Sequence, residues 1–297
     1  MYTMTYETFK KQIELVLDGA FCDAGYRLES IKVSPVNGKE RDAFSLKKEG
    51  TMAAPVIYLN EEFERFSNSG KTFTQYVDAL VPALCRSIQN APDARKLNCL
   101  FDPDYVRRNV ILRVVNAEKN KNMLFNLPHY AWQDLAAYCY IVVEERDDGA
   151  TAGVKVTHAL LTKLGMTASE LYRVAYKNTR EKGFKIFRMA DLNPLFAMMG
   201  GGAPMLICSN EHVNRGANFV LYEENLKKAS AMLGGDIVIF PSSVNEVICI
   251  QDVVSDADEL LDIVREVNRT QVADDEQLSD NCYRYIAAEN RVVMVSK

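Results

Sequence analysis

The sequence predicts an α+β protein: an antiparallel sheet built from strand hairpins alternating with helices, plus a smaller α+β N-terminal region. The main reason is that short apolar runs in the second half come in pairs joined by polar turns, with helical spacing after most pairs. A doubly wound parallel sheet needs single strands alternating with helices instead. In the first half, Asn37-Gly38 divides two extended runs and is the dipeptide that most easily takes the positive φ of a tight hairpin turn. With 48% hydrophobic and 25% charged residues the chain can bury a sizeable core, which argues against disorder.

In chain order, Phe9, Ile13, Val16, Leu17 and Phe21 recur at helical spacing from Thr5 to Phe21, and Gly25 follows as a breaker. Tyr26 to Lys48 reads as the first hairpin and Ala54 to Asn60 as a further short strand. Asn60 is placed to cap the next helix, with Glu61 and Glu62 at the positive end of its dipole. Another helix begins at Thr72, and Pro82 is expected to kink or break it. Asp102-Pro103 is a cap followed by a first-turn proline, opening a basic helix that carries Arg107, Arg108 and Arg113. The polar run Asn116 to Asn122 is the expected boundary, giving an N-terminal region 1–122 and a repeated hairpin-helix domain 123–297.

In that domain "DLAAYCYIVVEE" pairs with "AGVKVTHALL", and Thr167 with Glu170 forms a capping box for the following helix. "MLICSN" pairs with "GANFVLY", and the next helix stops at Gly234-Gly235. "DIVIF" pairs with "EVICI" ahead of a helix from Ser255 to Asn268, and "CYRYIAA" pairs with "RVVMVS" across Glu289-Asn290. The pattern places the helices on one face of the sheet.

The net charge of -5 gives no global attraction to nucleic acid or anionic lipid. Charge is uneven, with cations crowding Tyr105 to Asn122 and acids crowding Asp252 to Asp280, and such runs usually mark solvated helix faces. The seven cysteines include no C-x-x-C; Cys22, Cys139, Cys208 and Cys249 sit among apolar residues, where a reduced cysteine packs as a small hydrophobe. A reducing compartment follows. The N-terminus lacks a charged-then-apolar signal pattern, and no apolar run approaches about 18 residues, so a cytoplasmic chain without membrane contact is expected.

Pro241-Ser242-Ser243-Val244-Asn245 has the composition of a hairpin connection. A nucleophilic serine needs a base, usually histidine, and His129, His158 and His212 are all remote from this turn in sequence. No G-x-S-x-G elbow is present, and three unpaired histidines make no metal set. The glycines in Met198 to Met205 lack the lysine and hydroxyl of a phosphate loop, so no cofactor is implied. If Asp134, Asn178, Asn210, Ser242, Ser243 and Glu246 converge at one sheet edge, they form a polar ligand pocket.

"APVIYLNEEFERFSNSGKTF", "LPHYAWQDLA", "LYRVAYKNT", "LICSNEHVNRGA", "FPSSVNE" and "EVNRTQVADDEQLSDNCYRY" together resemble an uncharacterised bacterial family, a domain of unknown function common in Gram-positive gut bacteria. The likeness spans nearly the whole chain and implies no established activity. It also implies histidine at the position of Asn245, giving a Ser-Ser-x-His-Glu turn; asparagine cannot serve as a general base near neutral pH. The leading reading is therefore a non-catalytic cytoplasmic binding or adaptor protein for an unknown protein or small molecule. The alternative is a small-molecule-binding protein or enzyme with a polar pocket near Ser242 to Glu246, and a third reading is nucleic-acid contact through Arg107, Arg108 and Arg113.

Overall fold

The computed structural model describes residues 4–33, 37–38, 41–48, 55–89, 94–192, 204–241, 243–253 and 256–295. The chain divides into two compact units, one of Met1–Pro35 with Lys39–Cys99 and one of Val36–Gly38 with Leu100–Lys297. The division falls near residue 100. Asn116 to Asn122, whose polarity suggested a linker, lies inside the second unit, and there Asn116 and Asn120 are buried.

In the first unit the helix Tyr6–Cys22 starts on the Thr5 cap and buries Phe9, Ile13, Leu17 and Phe21. These residues pack against the sheet β1 (Tyr26–Val33), β2 (Arg41–Lys48) and β3 (Val56–Tyr58), where Phe44, Leu46 and Ile57 form the apolar face. Asn37 sits at φ 56°, as the hairpin reading requires. Asn60 is not a cap: the helix already begins at Leu59, and the Asn60 side chain accepts a hydrogen bond from the Tyr6 hydroxyl (3.3 Å). The helix Phe73–Gln89 runs unbroken through Pro82.

The second unit holds two antiparallel sheets. The first consists of β4 (Val110–Asn116), β5 (His129–Trp132), β6 (Leu135–Glu145) and β7 (Thr151–Lys155), with β4 on one edge of β6 and both β5 and β7 on the other. The second has six strands: β8 (Lys185–Arg188), β9 (Met205–Ser209), β10 (Ile237–Phe240), β11 (Val247–Gln251), β12 (Cys282–Ile286) and β13 (Arg291–Val295). Their order is β13-β12-β10-β11-β9-β8. The fold is α+β, as the paired runs predict.

Three local expectations change. The basic stretch is not one helix, because helix Pro103–Asn109 ends where the β-branched run Val110–Asn116 becomes β4, so Arg113 is a strand residue. "ANFVL" is a 3-10 turn, Ala217–Leu221, and not a strand. Helices also cover both faces of the six-stranded sheet. Ile237 and Ile239 pack with Leu226 and Leu233 of helix Glu223–Leu233, while Val238 packs with Leu260 and Val264 of helix Ala257–Gln271. In "IVIF" every position is apolar, so both pleat faces need a cover.

β4 has a strand on one side only, and side chains close its other edge. Thr179 of helix Ala168–Lys182 accepts the Leu112 N–H (2.8 Å), and Asn218 of the 3-10 turn donates to the Leu112 carbonyl (3.0 Å). A buried backbone group without such a partner costs about 1–3 kcal/mol. Thr179→Val keeps the shape and strands the Leu112 N–H. It is expected to destabilise by about 1–3 kcal/mol, read as a lower midpoint in urea with an unchanged slope.

Candidate functional site

Ser243, Asn245 and Glu246 lie between β10 and β11 in a closed turn; Ser242 lies outside the described residues. The Ser243 hydroxyl donates to Glu246 Oε1 (2.9 Å) and accepts the Asn245 N–H (3.0 Å). Ser243 is only 4% exposed, so its oxygen is committed and shielded. Asn245 makes the outward links. Its Nδ2 donates to Glu276 Oε1 (3.1 Å), and its Oδ1 accepts the Arg215 N–H (3.1 Å). Its carbonyl accepts from the Ser209 hydroxyl (2.6 Å) and the Gly216 N–H (2.9 Å). The chain passes so close here that a Cβ on Gly216 would stand 2.2 Å from Ser209 Oγ.

Asp134, in the β5–β6 turn, reaches the same region by another route. Its carboxylate accepts from Ser279 Oγ (2.5 Å), Asn281 Nδ2 (2.9 Å) and the Tyr283 hydroxyl (2.5 Å). Burial, reinforced by the Asp134 charge, pushes the Tyr283 hydroxyl far above its ordinary pKa. Just upstream in this segment, Gln277 bridges to Ser243, and the Glu276 carbonyl accepts the Val244 N–H (2.8 Å). Asp134, Ser243 and Glu246 are thus joined through residues 276–281. Asn178 lies elsewhere and donates to the carbonyls of Arg107 and Val110 (2.8 Å each), fixing the helix-to-β4 junction. Asn210 folds its own loop, accepting from the N–H groups of His212 (3.2 Å) and Asn214 (3.1 Å) and donating to the Asn214 carbonyl (2.6 Å). The histidines are dispersed and exposed: His129 bonds the Leu127 carbonyl, His158 opens helix His158–Leu164 instead of ending a strand, and His212 packs on Gly149. Cys22 is exposed, not packed.

A cleft of about 140 Å³ is bounded by β4, the β6–β7 hairpin and the 210–216 loop. Arg113 projects from β4 with its guanidinium carbon 3.4 Å from the centre of the Tyr140 ring. Its Nη2 donates to Thr151 Oγ1 (2.5 Å), while its Nε is buried and has no hydrogen-bond partner. Arg215 lines the same cleft, on a loop where Val213 (φ 49°) and Arg215 (φ 54°) both take left-handed backbone. Lys155 of β7 is close enough to feel both: burial first, then the charges of Arg113 and Arg215, hold its ammonium pKa below the usual lysine value. Among the described residues no carboxylate is within ion-pair distance of Arg113, Lys155 or Arg215. Arg107, by contrast, pairs with Asp104 (2.9 Å) and Glu170 (3.1 Å).

This cationic cleft escaped the sequence reading, although a signal was present. A lone arginine in the apolar run "VILRVV" is costly to bury unless it has a task, but a helix assignment hid its strand face. Among the described residues no group of three His, Cys, Asp or Glu side chains could hold a metal ion, and no helix is long and apolar enough to cross a membrane.

Glu246 gives the turn a pH signature. Burial raises its carboxyl pKa above the ordinary glutamate value against the lowering effect of the Ser243 hydrogen bond, and Glu276 adds to the rise. A raised folded-state pKa gives stability that is complete below the unfolded value and is lost as pH rises through the folded value. Glu246→Gln can still accept from Ser243 but cannot ionise. Its melting temperature relative to wild type should therefore rise as pH climbs from about 4, the ordinary glutamate range, through the raised folded-state value; a constant difference would mean that Glu246 ionises as freely as in solvent.

No curated protein and no solved structure matched the chain. A family model described as a family of unknown function (DUF5688) matches residues 6–287, across both units, and the chain belongs to that family.

Proposed function

We propose that the chain is a non-catalytic cytoplasmic binding protein that recognises an anionic small molecule in the Arg113 cleft. The observation that carries this reading is that Arg113 and Arg215 both line the cleft, with no carboxylate at ion-pair distance from either among the described residues. A guanidinium with no carboxylate partner keeps charged donors that a ligand oxygen can take, and charge-assisted hydrogen bonds of this kind are the strong ones. Burial is the first cause of the lowered Lys155 pKa, and an anion would offset the Arg113 and Arg215 charges that add to it. Guanidinium groups suit carboxylate and phosphoryl oxygens because their donors lie in a planar fork.

Binding is favoured over chemistry because the hydroxyl and carboxylate best placed to react are locked. Ser243 is buried and bonded to Glu246, and both belong to the turn that carries Asn245. This reading joins the non-catalytic character of the leading expectation to the small-molecule pocket of the alternative, and its site is the cleft next to the turn instead of the turn itself. The cytoplasmic assignment rests on thiols: Cys139, Cys208, Cys249 and Cys282 are buried and free.

The test is calorimetric titration with orthophosphate, citrate and short dicarboxylates in low-chloride buffer. Wild type is expected to bind one anion per chain. Arg113→Met, which keeps length over Tyr140, and Arg215→Asn, which suits the left-handed backbone, should each weaken binding at least about tenfold, equivalent to about 1.4 kcal/mol. Absence of binding by wild type, or full affinity in both variants, would overturn the proposal.

A further inference from the structure

Beside the Arg113 cleft the surface sinks again into a depression of about 300 Å³ lined by Arg108, Asn109 and Asn178. The two hollows share Ile111, Glu145 and Lys182. Glu145 and Lys182, which line both hollows, form an ion pair (2.5 Å) with both side chains more than 40% exposed. Ion pairs this exposed contribute about 0–1 kcal/mol, so an anion of higher charge can displace Glu145 from Lys182 at little cost.

Size and charge together narrow the ligand. A hollow of 140 Å³ is below the roughly 300–1,000 Å³ of sites that enclose a whole small molecule, so it suits an anionic end group. Arg113 and Ile111 are two residues apart on β4, a spacing of about 6.6 Å, and Arg108 lies further along the chain. Arg113 lines only the first hollow and Arg108 only the second, so a compact anion seated in one hollow meets one of them. A linear chain of anionic groups can meet both, with Lys182 on the way. Arg108 is exposed, with no carboxylate at ion-pair distance among the described residues, while Glu181 on the same rim is drawn to Lys177 (3.6 Å).

We propose that the two hollows form one groove for an oligophosphate chain, its terminal phosphoryl group at Arg113 and Arg215, an inner one on Lys182 in place of Glu145, and its far end at Arg108. This rests on the Arg113 cleft being an anion site. Inorganic polyphosphate and the phosphate chain of a nucleotide share this chemistry.

The experiment compares orthophosphate, inorganic tripolyphosphate and a nucleoside triphosphate, titrated into the full chain at fixed ionic strength. Tripolyphosphate is expected to bind at least tenfold more tightly than orthophosphate, at one per chain. Arg108→Ala should reduce that ratio at least fivefold, and Glu145→Gln should raise tripolyphosphate affinity several-fold by freeing Lys182, a gain that misfolding cannot mimic. If the nucleotide binds more tightly than tripolyphosphate, the chain belongs to a nucleotide; equal or weaker binding assigns it to inorganic polyphosphate. Equal affinities for orthophosphate and tripolyphosphate, or a ratio unchanged by Arg108→Ala, would sink the groove while leaving the Arg113 anion site intact. If no phosphate compound binds, the groove fails, and citrate or dicarboxylate binding sensitive to Arg113→Met decides whether the cleft survives it.

Discussion

The three hydrogen bonds accepted by Asp134 are the interaction on which the architecture of the second unit most depends. A carboxylate in the β5–β6 turn collects donors from Ser279, Asn281 and Tyr283, all in or next to β12. Among the described residues no cation pairs with it, so these donors do the work of stabilising the charge. Hydrogen bonds to a charged group are worth about 1.5–3 kcal/mol each, compared with about 1 for neutral pairs. The first sheet is thereby fastened to the last hairpin of the second. That attachment sets where residues 276–278 pass, and those residues pair with Ser243 and Val244.

From that segment the constraint runs to the cleft through Asn245. Its amide gives a donor to Glu276 and an acceptor to the Arg215 N–H at the same time, a pairing that needs a side chain with both functions. Neutral histidine has one ring donor and one ring acceptor, so the histidine implied by the family resemblance at this position has the same pair of functions. The difference between asparagine and histidine is then compatible with one positioning role and needs no lost base. The turn's bonds are those of a scaffold for the adjacent cleft, where recognition is proposed.

Elements governed by local chemistry were legible in the sequence. Thr5 and Thr167 accept the N–H groups that a cap should, Asp102 caps the helix opened by Pro103, and Asn290 takes positive φ in the last hairpin. The capping-box reading was half realised, since the Glu170 side chain turns to Arg107 instead of reaching back to its own cap. What escaped was set by tertiary demand. Ala217–Leu221 has strand-like composition, but Asn218 is needed to close the edge of β4, and a 3-10 turn delivers it there. Arg113 was hidden for a related reason: its charge was counted with Arg107 and Arg108 as a solvated helix face, whereas the β-branched residues around it put it on a pleated sheet, half-buried at the cleft wall.

The 210–216 loop shows how the scaffold and the cleft are energetically connected. Non-glycine residues in the left-handed region cost roughly 1–2 kcal/mol, more for a β-branched side chain, and this loop places both Val213 and Arg215 there. Such a conformation persists only if its surroundings over-determine it. Asn210 from within the loop and Asn245 from outside supply the bonds that do so. On the other side, a Cβ on Gly149 would stand 2.5 Å from that of His212, so the β6–β7 hairpin closes tightly against the loop. The Arg215 backbone is therefore fixed at the cleft wall by the fold itself, which would present a preset cation to the proposed anion. A ligand that meets a preset cation does not have to order the loop on binding, and ordering is among the costs that separate weak anion sites from selective ones.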